Sequence, residues 1–228
     1  MTSAGLEPAA AQGPRAAAPG STREPGPRGP GRRAGRRKIA VLEAAGRVIA
    51  DRGADATRFA DVAAESGVPV STLQYYFGSR EDLLVAAFRH ASSAEIAALE
   101  ADVAAISDPW QQLERIITTS LSGYQPDTAG GGRLWIESWH FGIRDAEMRA
   151  DALRDNTAWR RLVAQVVRRG IELGTFGGTY DPDQVAVLTI AAADGMGIPL
   201  SLDDPDITPA SAARDVMAAL RELLRPDR

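Results

Sequence analysis

The stretch TRFADVAAESGVPVSTLQYYFGSREDLL, Thr57 to Leu84, decides how this chain folds. In its first half Phe59, Val62 and Ala63 share one helical face, Ala64 and Glu65 fall opposite, and Thr57 stands where a capping hydroxyl belongs. Gly67 then breaks the pattern. Glycine accepts the left-handed backbone of a tight inter-helix turn, and Ala63 is small enough for two helices to cross closely. Val68, Leu73 and Tyr76 return to the same core. With Pro69 in the first turn of the next helix, where its missing N–H costs nothing, the spacing predicts a helix through Phe77. The pair has the spacing of a helix-turn-helix.

The second helix carries residues that a buried segment would avoid, because hydroxyls and amides cost free energy to bury without partners. Leu73 and Phe77 point inward, which leaves Val70, Ser71 and Gln74 facing away. Such a face suits the major groove of double-stranded DNA: Gln74 can bond adenine through two atoms, and Val70 or the Ser71 hydroxyl can touch base edges. The hydroxyls of Thr72, Tyr75 and Tyr76 suit phosphate oxygens, although Tyr76 can equally complete the small core.

Upstream, Ile39, Leu42, Gly46 and Ile49 recur on one face of a preceding helix that Gly53 stops. Arg36, Arg37 and Lys38 form a basic lead-in suited to phosphates, and Arg58 can add a further contact. Residues 1–35 are dominated by Pro, Gly, Ala and Arg without any period, and read as a disordered basic tail. GRRAGRR, Gly31 to Arg37, is not an export signal, because Glu43, Arg47 and Asp51 interrupt the apolar run that would have to follow. Downstream, Ser79 to Asp82 is a capping box that starts a helix reaching toward Ile106 and stopping before Asp108-Pro109.

Charge is distributed unevenly. Residues 1–35, 36–80 and 81–228 carry +3, +2 and −9, which make up the net −4. A basic front and an acidic back direct the front toward a polyanion. The absence of cysteine excludes disulfides and thiolate metal sites, two histidines are too few for a zinc cage, and a reducing cytoplasmic setting follows. No uninterrupted run of 18 apolar residues indicates a membrane span. Ser, His and Asp occur without a G-x-S-x-G elbow, an H-E-x-x-H helix or a phosphate loop, so an enzyme is not expected, and neither a cofactor nor a metal.

The run from Ile39 to Phe88, and above all Thr57 to Leu84, resembles the DNA-binding head of the TetR family of bacterial transcriptional regulators. Gln74, Pro69 and Ala60 depart from the family's usual residues. The resemblance implies an all-α chain of about nine helices: a three-helix head over 36–80 and a ligand-sensing, dimerising helical body over 81–228. It also implies that Arg80 contacts phosphate and that the fourth helix links head to body. WIESWHFGIRD and DPDQVAVLTIAAADGMG are similar to the C-terminal domain of the choline-responsive repressor type. The partners so implied are a near-palindromic operator, a second copy of the chain and a hydrophobic or cationic small-molecule effector. An activator, or a helical ligand-binding protein that does not read DNA, remains an alternative.

All four tryptophans lie in the body. Trp135 and Trp139 share a helical face beside His140, which can line an aromatic cavity or belong to ordinary core; Phe88, Trp110 and Tyr124 join them as effector candidates. Arg133 and Glu137 lie on another face and read as solvated. The GGG at 130–132 reads as a flexible connector. WRRLVAQVVRRGIELGTF predicts a long helix ending at Gly174, and Asp181-Pro182 and Thr208-Pro209 each start another. The small run Ala191–Gly197 and the stripe Val216, Leu220, Leu223 and Leu224 would pack against the same pair in a twin subunit, with Pro199 kinking or ending its helix.

Overall fold

A computed structural model describes Met1 and residues 30–124 and 131–226; most of the predicted tail lies outside the described residues. Those residues form α1 (Pro30–Arg52), α2 (Phe59–Ser66), α3 (Val70–Phe77), α4 (Arg80–Ala104), α5 (Pro109–Ser122), α6 (Gly131–Gly142), α7 (Ala146–Glu172), α8 (Pro182–Ser201) and α9 (Pro209–Leu223), with no strand among them. The chain is all-α. Its first helix begins at Pro30, inside the stretch expected to be tail, so Arg36, Arg37 and Lys38 sit on α1 rather than ahead of it.

The turns follow the sequence closely. Gly67 caps α2 at φ 67° and ψ 18°, the left-handed conformation that a side chain would strain. Pro69 stands at the N-cap of α3, one position earlier than expected, and α4 starts on the Ser79–Asp82 box, in which Ser79 Oγ accepts from Asp82 N–H at 3.0 Å. Asp108, Asp181 and Thr208 cap α5, α8 and α9, each followed by a first-turn proline. Each cap satisfies amide N–H groups that have no carbonyl partner within the helix. Pro199 lies in the last turn of α8, which ends two residues later at Ser201.

Two cores result. In the head, Val41, Ala45, Val48 and Ile49 of α1 pack with Val62, Val68, Leu73, Phe77 and Leu84. The α1 register differs from the predicted face: Ile39 is 45 % exposed, and Gly46 turns toward Leu134 of α6. The reason is that α1 is gripped from two sides, by α2 and α4 and by α6, so its apolar positions serve two faces. The head core does not stop at residue 80, since Phe88, Leu134 and Met148 complete it. The body core gathers Leu113, Ile116, Val163, Val167 and Ile190. Val216 and Leu220 of α9, with Leu224 just past its end, are buried in this same core, so that stripe faces the subunit's own interior and not a twin. α8 is long and apolar enough to span a membrane by length and composition, yet Val185, Ala186, Ile190 and Ala193 pack it into the body core. Its outer side leaves Val187, Leu188, Ile198 and Leu202 exposed.

Candidate functional site

The outward face of α3 presents Ser71, Gln74 and Tyr75, the last 86 % exposed, while Val70 and Thr72 are half-buried. Leu73 and Phe77 are buried as the pattern required, which fixes the rotation of the helix. Of its two expected roles Tyr76 shows the core one: it is half-buried, packs on the head core and lies edge-on to Phe77, with ring centroids 6.2 Å apart. Lys38 Nζ sits 5.1 Å over the Phe77 ring, which fixes α1's basic segment against α3. Arg36, Arg37 and Arg58 are exposed on the same head.

Two residues expected at DNA are committed elsewhere. Thr57 is 1 % exposed, and its hydroxyl donates to Gly53 O at 2.8 Å instead of capping α2. Arg58 holds the cap position, its N–H bonding the Asp61 carboxylate at 3.0 Å. Arg80 donates to the carbonyls of Thr57, Ala54 and Asp55 at 2.6, 2.5 and 2.8 Å. Its guanidinium therefore clamps the α1–α2 turn onto the start of α4, since a carbonyl cluster leaves few donors for phosphate.

A cavity of about 610 Å³, partly open to solvent, lies between α1, α4, α5, α6, α7 and α8. Of the six effector candidates, Phe88, Tyr124 and Trp135 line it. Trp110 instead packs edge-on against Phe176, 4.5 Å between centroids, with Arg221 5.8 Å from its ring. Trp139 is 46 % exposed and supports Trp135 from behind at 5.7 Å. His140 is exposed, bonded to Arg144 at 2.8 Å. Helical spacing placed Trp139 and His140 near Trp135, but the cavity takes only one side of α6.

Sequence reasoning missed Glu95, Asp155, Trp159 and Asp194 on the wall. Asp194 carried a signal, being the one charge in the small-residue run Ala191–Gly197. Trp135 Nε1 donates to Asp194 Oδ1 at 3.3 Å. Burial pushes the Asp194 carboxyl above its ordinary value, with that indole bond opposing, and burial raises Glu95 likewise. The Tyr124 hydroxyl is raised by burial and then by the charges of Asp194 and Glu95, so it stays protonated. Tyr124 fits only because Gly132 and Gly197 flank it: a Cβ on either would collide with its ring. Gly131 and Gly132 open helix α6 and are no loose connector, while Gly130 lies outside the described residues.

Two polar links hold α4 on α7 and α6 on the head. Asp151, 2 % exposed on α7, accepts from Arg89 Nε of α4 at 2.9 Å and pairs with Arg154, while Arg89 also reaches Glu147 at 2.9 Å. Glu137, expected on a solvated face, accepts from the Ala54 N–H at 2.9 Å. That bond joins α6, whose Leu134, Trp135 and Ser138 line the cavity, to the turn that Arg80 clamps.

A helix-turn-helix head fused to a helical body with a ligand-sized cavity defines a one-chain transcriptional regulator. Residues 109–225 match the family described as BetI-type transcriptional repressor, C-terminal, and residues 41–87 match the bacterial regulatory proteins of the tetR family. The chain belongs to the TetR family of bacterial transcriptional regulators, with a C-terminal domain of the BetI repressor type. It is 28 % identical over 174 residues to the HTH-type transcriptional regulator BetI of Rhizobium meliloti (strain 1021), covering 75 % of this chain and 81 % of that one. Against BetI of Vibrio atlanticus (strain LGP32) it is 26 % identical over 191 residues, covering 79 % and 88 %. Its fold matches a putative transcriptional regulator from Saccharomonospora viridis in complex with choline, with a TM-score of 0.74 at 24 % identity over 82 % and 96 % of the two chains.

Proposed function

We propose that this chain acts as a homodimeric repressor whose α3 reads a near-palindromic operator and whose body cavity binds an organic cation that weakens the grip on DNA. The observation that carries the reading is the chemistry of the cavity: Trp135, Trp159, Tyr124 and Phe88 surround space that Glu95 and Asp194 also face. Aromatic faces attract cations through their negative π clouds, and a buried carboxylate gains a partner when one enters. The choline bound in the Saccharomonospora viridis regulator is of this chemistry.

The dimer face is α8's outer stripe, Val187, Leu188, Ile198 and Leu202, with Ala191 and Gly195 between them letting a twin helix approach. Two α3 helices about 34–36 Å apart would then meet successive major grooves. Ser71, Gln74 and Tyr75 carry base-edge and backbone contacts there, with Val70, Thr72 and Tyr76 at the margin and Arg36, Arg37, Lys38 and Arg58 on phosphates. A cation drawn between α6 and α8 loads α6, and α6 holds the α1–α2 turn through Glu137. Coupling of this kind is typically about 1–3 kcal/mol, a loss of operator affinity of about fivefold to 150-fold.

The test is fluorescence anisotropy on operator DNA selected from a random pool, with choline titrated into the complex. Dissociation driven by choline, and not by a neutral alcohol of equal size, supports the reading; operator binding indifferent to every cation overturns it. Gln74→Ala should flatten discrimination between operator and random DNA while the salt-dependent component persists, and unaltered discrimination removes Gln74 from base readout.

A further inference from the structure

The cavity is larger than a compact cation needs, an inference that rests on the organic-cation reading above. At roughly 30 Å³ per water-sized group, a cation of about seven non-hydrogen atoms fills about 200 Å³, whereas some 610 Å³ is available. The space is also long. α7 borders it from Met148 to Trp159, a rise of about 16 Å along the helix axis. One end lies at the head core, beside Phe88, Leu134 and Met148, and the other at the body core, beside Tyr124, Ile190 and Ala193.

The wall is acidic. Glu43 of α1, Glu95 of α4, Asp155 of α7 and Asp194 of α8 all face the space. Asp194 has the Trp135 indole, whereas the side chains of Glu43, Glu95 and Asp155 make no hydrogen bond or ion pair among the described residues. Arg47, the one guanidinium among the described residues of the wall, is committed to Glu65 at 2.8 Å. A ligand with a single positive charge leaves most of these carboxylates without a partner, and like charges facing one space repel.

We infer that the ligand is an extended organic cation with two positive charges separated by a chain, of the linear polyamine or bis-quaternary type. One charge sits among Tyr124, Trp135 and Trp159 against Glu95 and Asp194; the second lies toward Asp155 and, at the head end, Glu43. Since Glu43 belongs to α1, the second charge pulls directly on the helix that positions α3, and a short ligand leaves α1 untouched.

Isothermal titration of the full chain with three probes tests this: choline, hexyltrimethylammonium, and hexane-1,6-bis(trimethylammonium). The dication should bind at least about tenfold more tightly than the hexyl monocation, which matches its chain length with one charge. Asp155→Asn should reduce dication affinity by a larger factor than monocation affinity; if that variant misfolds, Glu43→Gln on the exposed side of α1 serves the same comparison. A dication no tighter than the hexyl monocation overturns the two-charge inference and leaves the cation reading standing. If none of the three probes binds, the cation reading falls with it.

Discussion

Removing the Glu137 carboxylate is the sharpest perturbation of the link between cavity and head. The Ala54 N–H has Glu137 Oε2 as its acceptor at 2.9 Å, and with that side chain in place Ala54 is 1 % exposed, so truncating Glu137 removes the partner and leaves the amide either unpaired or bonded to water entering the vacated space. An unsatisfied buried amide costs about 1–3 kcal/mol. For a chain of this size each kcal/mol lowers the melting temperature by about 2–4 °C, which predicts a fall of about 2–12 °C for Glu137→Ala. Glu137→Gln keeps an acceptor oxygen and should recover most of that loss. Differential scanning calorimetry gives the stability, and amide hydrogen exchange at Ala54 gives the site: protection should drop in the alanine variant and return in the glutamine one. In anisotropy, the alanine variant should also show a weaker response of operator binding to a cation, because α6 no longer holds the α1–α2 turn. An Ala54 amide that exchanges as slowly in Glu137→Ala as in the native chain refutes the latch, whatever the melting temperature does.

Other perturbations probe the remaining parts. Gly197→Ala puts a methyl group into the Tyr124 ring, so it should cost about 1–3 kcal/mol of overpacking and weaken cation binding together; unchanged titration calorimetry would show that Tyr124 does not form the wall. Burial raises Glu95 and Asp194, so the folded state holds protons that the unfolded chain has released, and apo stability should fall as pH climbs through and above the ordinary carboxylate range. Cation affinity should rise over the same window as both ionise, with Tyr124, Asp155, Glu43, His90 and Arg47 also facing the space; calorimetric affinity that stays flat as pH climbs above the ordinary carboxylate range contradicts this. Leu188→Glu places a charge on α8's outer stripe, where Leu188 is 55 % exposed in the monomer, and should shift sedimentation toward monomer; a dimer of native strength would locate the interface elsewhere.

The head was legible in the sequence because its determinants are local. Gly67, the Ser79–Asp82 box and the spacing of Leu73 and Phe77 act within a few residues of themselves, and each stands in the fold as the pattern required. The errors came where one helix answers to several neighbours. Ile39 looked inward by period, yet α1 is rotated by its contacts with α6. Thr57 looked like a cap and Arg80 like a phosphate contact, and each is drawn inward by carbonyls of the α1–α2 turn, Thr57 by Gly53 O and Arg80 by Ala54, Asp55 and Thr57 O.

What the sequence settled by itself was the order of the helices, most of their caps and the helix-turn-helix, since backbone capping and 3.6-residue periodicity are properties of short segments. Only tertiary packing chose which side of α6 faces the cavity, brought Glu95 and Asp194 across from Trp159, and sent Glu137 to an amide 83 residues earlier in the chain. Charges far apart along a chain carry no mark of their future neighbours, because a helix pattern fixes which residues share a face and not what that face will meet.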